Sequence, residues 1–343
     1  MGQEKDVWRK QVRNIVISII VGGVIVWFLL SRIDPRDIPR AISNIPPQNL
    51  AIAFLLYTSA VFFKAARFKT ILRTGISLRQ IFPIVSLYMF FANILPMRAG
   101  ELSYMYLLKK QASTPGTKSF ASLIIGGVAD VAVILMATLI VGWRLWDDLA
   151  GGFSYFAYTL KQKLRTFIHT TSWDKLLLFA IILASIACFV TGFILYRRKN
   201  KAQQSLMHRY GSIVKSKVLE VVHELANVKF DMRLLGIVVL SIMIISFRFC
   251  TQWYLVWAMN LGINIWQFAF ALFFSVLFSL IPIHGPAGFG TVEAPWVLAL
   301  VYLDVPQEDA ITSGFGLHIV ITTFVIVLGI YSALDLRFLR NKL

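Results

Sequence analysis

Two strings rich in proline and glycine interrupt otherwise apolar sequence, and both carry residues able to do chemistry. In NILPMRAGELSYMYLLKK, Asn93–Lys110, the residues Arg98, Gly100 and Glu101 follow Pro96, directly after the run IFPIVSLYMFF. In IPIHGPAGFGTVE, residues 281–293, the order of proline, glycine and glutamate repeats with Pro282, His284, Gly288, Gly290 and Glu293. A helix beginning near Met97 exposes unpaired N–H groups and the positive end of its dipole, and Gly100 lets backbone approach closely. With Arg98 this makes an anion-binding point. GPAGFG leads into a second such helix start, with Thr291 as its expected cap. Glu101 and Glu293 complement the first turn of these helices, or, placed as a pair, take up protons.

Four further charges are candidates. Arg248 lies about 22 Å from one end of its apolar helix and about 18 Å from the other, too deep to snorkel. A charge at that depth costs at least ~2.5–3.5 kcal/mol unless solvated or paired. It therefore lines a substrate path, or pairs with Asp130 or Glu101. Asp130 is similarly deep, with a helix-packing hydrogen bond as its alternative role. Lys64 and Arg67 stand near the end of their helix, where snorkelling to head groups is the default expectation. His284 and His318 are candidates because histidine is the side chain suited to exchanging protons near neutrality, although a lone histidine on an apolar face is more often a packing residue. No H-E-x-x-H, C-x-x-C or acidic cluster occurs in the sequence, so neither a metal nor another cofactor is expected.

The elements that must hold these residues follow from composition. Of 343 residues 57% are hydrophobic and 15% charged, and mean hydropathy is +0.71, which excludes an ordinary soluble domain. A single polytopic, all-α integral membrane domain over residues 1–343 is expected. The net charge of +17 falls in short segments between apolar spans, where it sets topology and meets anionic lipid; nucleic acid is not expected as a partner. Cys188 and Cys250 sit in apolar runs and read as packing residues. With about 20 residues needed per crossing, full transmembrane helices are expected at about 13–31, 49–68, 118–143, 174–196, 233–259 and 308–335. The first has no cleavage site and reads as a retained anchor.

Regions 81–108 and 266–303 do not fit as single spans, because proline and glycine free backbone groups that lipid cannot satisfy. Read as re-entrant hairpins, they leave Lys109, Lys110, both termini and the richest basic loop on the cytoplasmic side. That loop, Arg197 to Arg233, holds nine Lys or Arg. The halves 49–143 and 233–335 then run in opposite senses, an inverted repeat of the kind transporters use. Within the basic segment 197–232, residues 205–228 space their apolar residues as an amphipathic helix on anionic inner-leaflet lipid. Segment 144–173 reads as an aromatic interfacial element outside.

LPMRAGE, a following basic segment and the later IPIHGPAGFGTVE resemble the flippase-like membrane family typified by the transmembrane (flippase) region of lysylphosphatidylglycerol synthase. The resemblance runs from about residue 10 to 338 and implies movement of a lipid with a polar head group across the cell membrane. The soluble aminoacyl-transferase domain of the fused synthases is not present in these residues, so no enzyme activity is expected. Where family members commonly carry Glu-Arg, this chain has Gly126 and Gly127 and keeps only Asp130. The expected function is a transporter for an anionic, glycosylated or aminoacylated lipid, either a phospholipid or one linked to polyprenyl phosphate. Two alternatives stand beside it. One is a membrane-embedded glycosyltransferase using Asp34 or Asp37 of RIDPRD; the other is a non-transporting scaffold for a separate lipid-modifying synthase.

Overall fold

The computed structural model of the chain describes residues 22–95, 100–145, 232–279 and 286–340, all within one compact unit. The expected span 174–196, the amphipathic stretch 205–228 and nearly all of 144–173 lie outside the described residues, as do Arg98 and His284. Among the described residues every regular element is a helix, and none is a strand. In chain order they are α1 (22–30), α2 (Asp37–Ser43), α3 (Pro47–Leu72), α4 (Leu78–Ile94), α5 (Gly100–Ala112) and α6 (Gly116–Arg144). There follow α7 (Met232–Ala258), α8 (Ile265–Phe278), a 3-10 turn at Pro286–Gly288, α9 (Glu293–Tyr302) and α10 (Gln307–Arg340).

Four of these, α3, α6, α7 and residues Gln307–Leu336 of α10, are long and apolar enough to cross a membrane, with 26, 29, 27 and 30 residues. Each covers one of the spans expected at 49–68, 118–143, 233–259 and 308–335. Of the expected span 13–31, residues 22–30 are helical. The two interrupted regions are each two shorter helices, α4 with α5 and α8 with α9.

Local sequence explains where these shorter helices begin. RTGISLRQ and NLGINIWQ, residues 73–80 and 260–267, each leave a long helix through a left-handed residue, Arg73 at φ 50° and Asn260 at φ 54°. Each then builds a capping box, Ser77 with Gln80 for α4 and Asn264 with Gln267 for α8. The exits match as well, since Ser113 after α5 and Asp304 after α9 have φ of 47° and 60°.

Packing follows the same correspondence. Helices α3 and α7 share the largest interface, crossed by the Tyr254 hydroxyl donating to Asn49 Oδ1 at 3.0 Å and by the Phe63 and Phe247 rings, centroids 5.2 Å apart. Helix α4 packs on α5 and on α10; its counterpart α8 packs on α9 and on α6. The Tyr104 hydroxyl lies 3.0 Å from Ser122 Oγ, tying α5 to α6, and Trp296 Nε1 donates to Ser313 Oγ at 3.0 Å, tying α9 to α10. Large apolar side chains point outward along α6, α7 and α10, among them Leu139, Ile140, Val239, Ile330 and Leu334. In water such a surface is unfavourable; against lipid tails it costs nothing.

Candidate functional site

All four ends of the interrupted helices reach one cavity of about 470 Å³. Asn93 and Leu95 line it from the end of α4, Glu101 from the start of α5, Ser279 from the end of α8, and Gly288 and Glu293 from the approach to α9. Arg248 and Gln252 enter from α7, one helical turn apart, and His318 from α10. An adjoining lobe of about 170 Å³ shares Tyr88, Asn93, Arg248 and Gln252 and adds Lys64 and Tyr57 from α3.

The polar groups of the cavity divide by how far they are satisfied. Arg248 is exposed to the cavity and makes no hydrogen bond or ion pair among the described residues; Gln252 likewise makes no hydrogen bond there. Ser275 is buried on α8 with its hydroxyl unpartnered. The Lys64 ammonium sits 5.4 Å above the Tyr88 ring, a cation–π contact. Among the described residues no carboxylate lines the smaller lobe, and Lys64 and Arg248 are its charged side chains. Glu293, by contrast, is fully buried and fully engaged: Oε2 accepts from the Gly290 N–H at 2.7 Å, and Oε1 lies 2.5 Å from His318 Nδ1. The turn before it needs left-handed backbone at Ala287, Gly288 and Gly290, with φ of 51°, 80° and 81°. A Cβ at Gly290 would also stand 2.6 Å from the Gly22 carbonyl oxygen, so only glycine fits.

A second polar cluster lies away from this lining. Arg67 is 1% exposed and forms a bidentate pair with Asp130, with Nη2 to Oδ2 at 2.9 Å and Nη1 also bonded to Oδ1. Nη1 donates in addition to Ser241 Oγ at 2.8 Å, so one guanidinium joins α3, α6 and α7. Among the described residues no group of three or more His, Cys, Asp or Glu is arranged to hold a metal ion.

Residues 15–329 match the family described as the lysylphosphatidylglycerol synthase TM region. The chain belongs to this family. The UPF0104 membrane protein MJ1595 of Methanocaldococcus jannaschii is 24% identical over 307 residues, covering 86% of each chain. No solved structure matches the chain. Membership, together with four apolar helices of crossing length, makes the chain an integral, multi-pass membrane protein.

Within the chain, the candidate residues fall into separate places. Glu101, Arg248, Gly288 and Glu293 line the larger cavity, Lys64 and again Arg248 the smaller lobe, and Gly290 supports the turn between α8 and α9. Gly100 serves packing, because a Cβ there would lie 2.2 Å from the Ala92 nitrogen of α4.

Three expectations need correction. Arg67 does not snorkel; Gly126 leaves room on α6, where a Cβ would stand 3.1 Å from Arg67 Nη2, and Asp130 one turn on takes up the guanidinium. Asp130 is therefore the partner of Arg67, not of Arg248. Thr291 does not cap α9, since its hydroxyl donates to the Gly288 carbonyl at 2.9 Å and the Glu293 carboxylate binds the free N–H of Gly290 instead. Gln252, Ser275 and Tyr88 are site residues that sequence reading missed; Gln252 was legible from its i+4 spacing to Arg248, the other two were not.

Proposed function

We propose that this chain moves a lipid with an anionic head group between the leaflets of the cell membrane. The observation that carries this reading is Arg248, an arginine deep in an apolar helix with no partner among the described residues, facing a cavity onto which four helix ends open. A charge retained at such depth is solvated or paired, and a phosphate entering the cavity would supply the pair. The volume of about 470 Å³ suits a polar head group. Lys64 and Ser275 add a cation and a free donor, and the lipid tails stay in the bilayer. Arg98, at the first break, is the other expected anion contact.

Lengths support re-entrant hairpins. Helices α5 and α9 have 13 and 10 residues, so they reach roughly 20 Å and 15 Å, well short of a ~30 Å hydrocarbon core. The matched caps and matched packing of the two halves support an inverted repeat, which would expose the cavity alternately; the basic loops favour both termini being cytoplasmic. The basic segment 197–232 would rest on anionic inner-leaflet lipid, and it is also the surface on which a separate lipid-modifying enzyme would dock. The glycosyltransferase alternative gains nothing: Asp34 Oδ1 accepts from the Arg36 N–H at 2.9 Å and Asp37 pairs with Arg40 at 3.1 Å, ordinary turn and helix chemistry.

The test is lipid translocation in reconstituted vesicles, using fluorescent phospholipids and a polyprenyl phosphate. Arg248→Ala is expected to slow movement about tenfold or more, as loss of a charge-assisted contact in a desolvated site implies. Unchanged movement in both Arg98→Ala and Arg248→Ala rejects the site.

A further inference from the structure

The second helix break is held by a hydrogen-bond chain whose protons can be counted. His318 Nε2 lies 3.0 Å from the Ala287 carbonyl oxygen, and its Nδ1 lies 2.5 Å from Glu293 Oε1. A backbone carbonyl only accepts, so Nε2 carries a hydrogen. The contact at Nδ1 then requires one more. It sits either on Nδ1, giving imidazolium against carboxylate, or on Oε1, giving a carboxylic acid against the imidazole lone pair. Without it, the one imidazole hydrogen left serves a single contact, and lone pairs face each other at the other, either Nδ1 to Oε1 at 2.5 Å or Nε2 to the Ala287 carbonyl at 3.0 Å, in a site where Glu293 is fully buried.

We infer that Glu293 and His318 form a single-proton site that clasps the second helix break, and that release of the proton loosens the break. The proton leaves for water in the cavity, and carboxylate and neutral imidazole remain. The clasp matters because the backbone it holds is costly: Ala287 is left-handed without being glycine, and Gly288 and Gly290 follow it with positive φ. His318 supports that turn from α10, through both the Ala287 carbonyl and Phe289, whose ring stacks on the imidazole with centroids 4.4 Å apart. Glu293 closes the turn from the other end through the Gly290 N–H. Both residues line the larger cavity, so the protonation state of the pair and the shape of that cavity are linked.

Among the described residues, the other titratable groups facing the larger cavity are Tyr88 on α4, Glu101 on α5 and Arg248 on α7, and Tyr57 and Lys64 on α3 face the smaller lobe. Helix α8 and residues 22–30 of α1 contain none, and the remaining ones on α9 and α10 are absent from the lining of both cavities. Glu293 and His318 are the two of these groups that touch the turn itself. That this proton governs lipid movement rests on the transport reading above; the site itself rests on geometry.

Hydrogen exchange of the full chain in nanodiscs tests it, reading protection of the amides in 287–293 from mildly acidic to mildly alkaline pH. Protection, corrected for intrinsic exchange, is expected to fall about tenfold or more in the wild type as pH rises, the equivalent of losing one charge-assisted hydrogen bond. Glu293→Gln keeps both contacts with a group that does not titrate, its amide donating to Nδ1 and its oxygen accepting from Gly290. It is expected to stay protected throughout. His318→Gln is expected to be poorly protected at every pH. A wild type whose protection ignores pH overturns the inference without any variant, and so does a Glu293→Gln chain that loses protection in parallel with the wild type. Lipid movement measured on the same preparation separates the two readings, since a chain that moves no lipid while its protection follows pH sinks the transport reading and leaves the proton site standing.

Discussion

At the residue scale, the same chemical problem, a charge inside an apolar helix, has two solutions in this molecule. Arg67 is neutralised by protein, through Asp130 and Ser241, with its Nε left without a partner. Arg248 is left for something else. The two arginines should therefore respond oppositely to mutation. Asp130→Asn strands a guanidinium that is 1% exposed, and the expected loss is about 3–5 kcal/mol of folding stability, read by steric-trap unfolding in bicelles. Replacing both partners together, Arg67→Met with Asp130→Leu, should recover most of it, because an apolar pair needs no compensation. Arg248→Ala should leave stability near that of wild type while impairing transport. Equal stability losses in Asp130→Asn and Arg248→Ala would show that both arginines are structural.

At the element scale, close backbone approach decides whether the interrupted regions fold back. Gly100 sits against the backbone of Phe91 and Ala92, with the position of a Cβ only 2.2 Å from a main-chain nitrogen that cannot yield. Gly100→Ala is expected to force α5 away from α4, costing about 3 kcal/mol or more, and to give aggregated protein on size exclusion. Gly127→Ala is the control. Nothing stands within 4 Å of a Cβ there, in the interior of α6, so it should be neutral or stabilising by up to about 1 kcal/mol. If the two variants behave alike, the α4–α5 contact does not hold that hairpin together.

At the scale of the whole molecule, the pairing of elements constrains topology. Hairpins that enter and leave on one side put Arg79 and Lys110 on the same face, and Asn264 and Asp304 together on the opposite one. In a chain with Cys188 and Cys250 replaced by serine, membrane-impermeant maleimide should reach single cysteines at 79 and 110 from one side only, and at 264 and 304 only from the other. Labelling of 79 and 110 from different sides would turn the first hairpin into a full crossing. That outcome removes the inverted relation between the halves and with it the alternating cavity.

The sequence by itself determined the membrane setting, the four long helices and the two interruptions, because hydrophobic length and the punctuation of Pro96 and Pro282 are local properties. It also holds the matching RTGISLRQ and NLGINIWQ strings whose capping boxes start α4 and α8. Tertiary structure decided the partners. Whether Asp130 meets Arg67 or Arg248 depends on which helix faces Gly126, and whether His318 is packing or chemistry depends on a contact 25 residues away with Glu293. Spacing along one helix fixes only which side chains share its face; how the helices are turned toward one another is set by contacts between elements, such as Gly100 against the backbone of α4 and Tyr254 of α7 with Asn49 of α3.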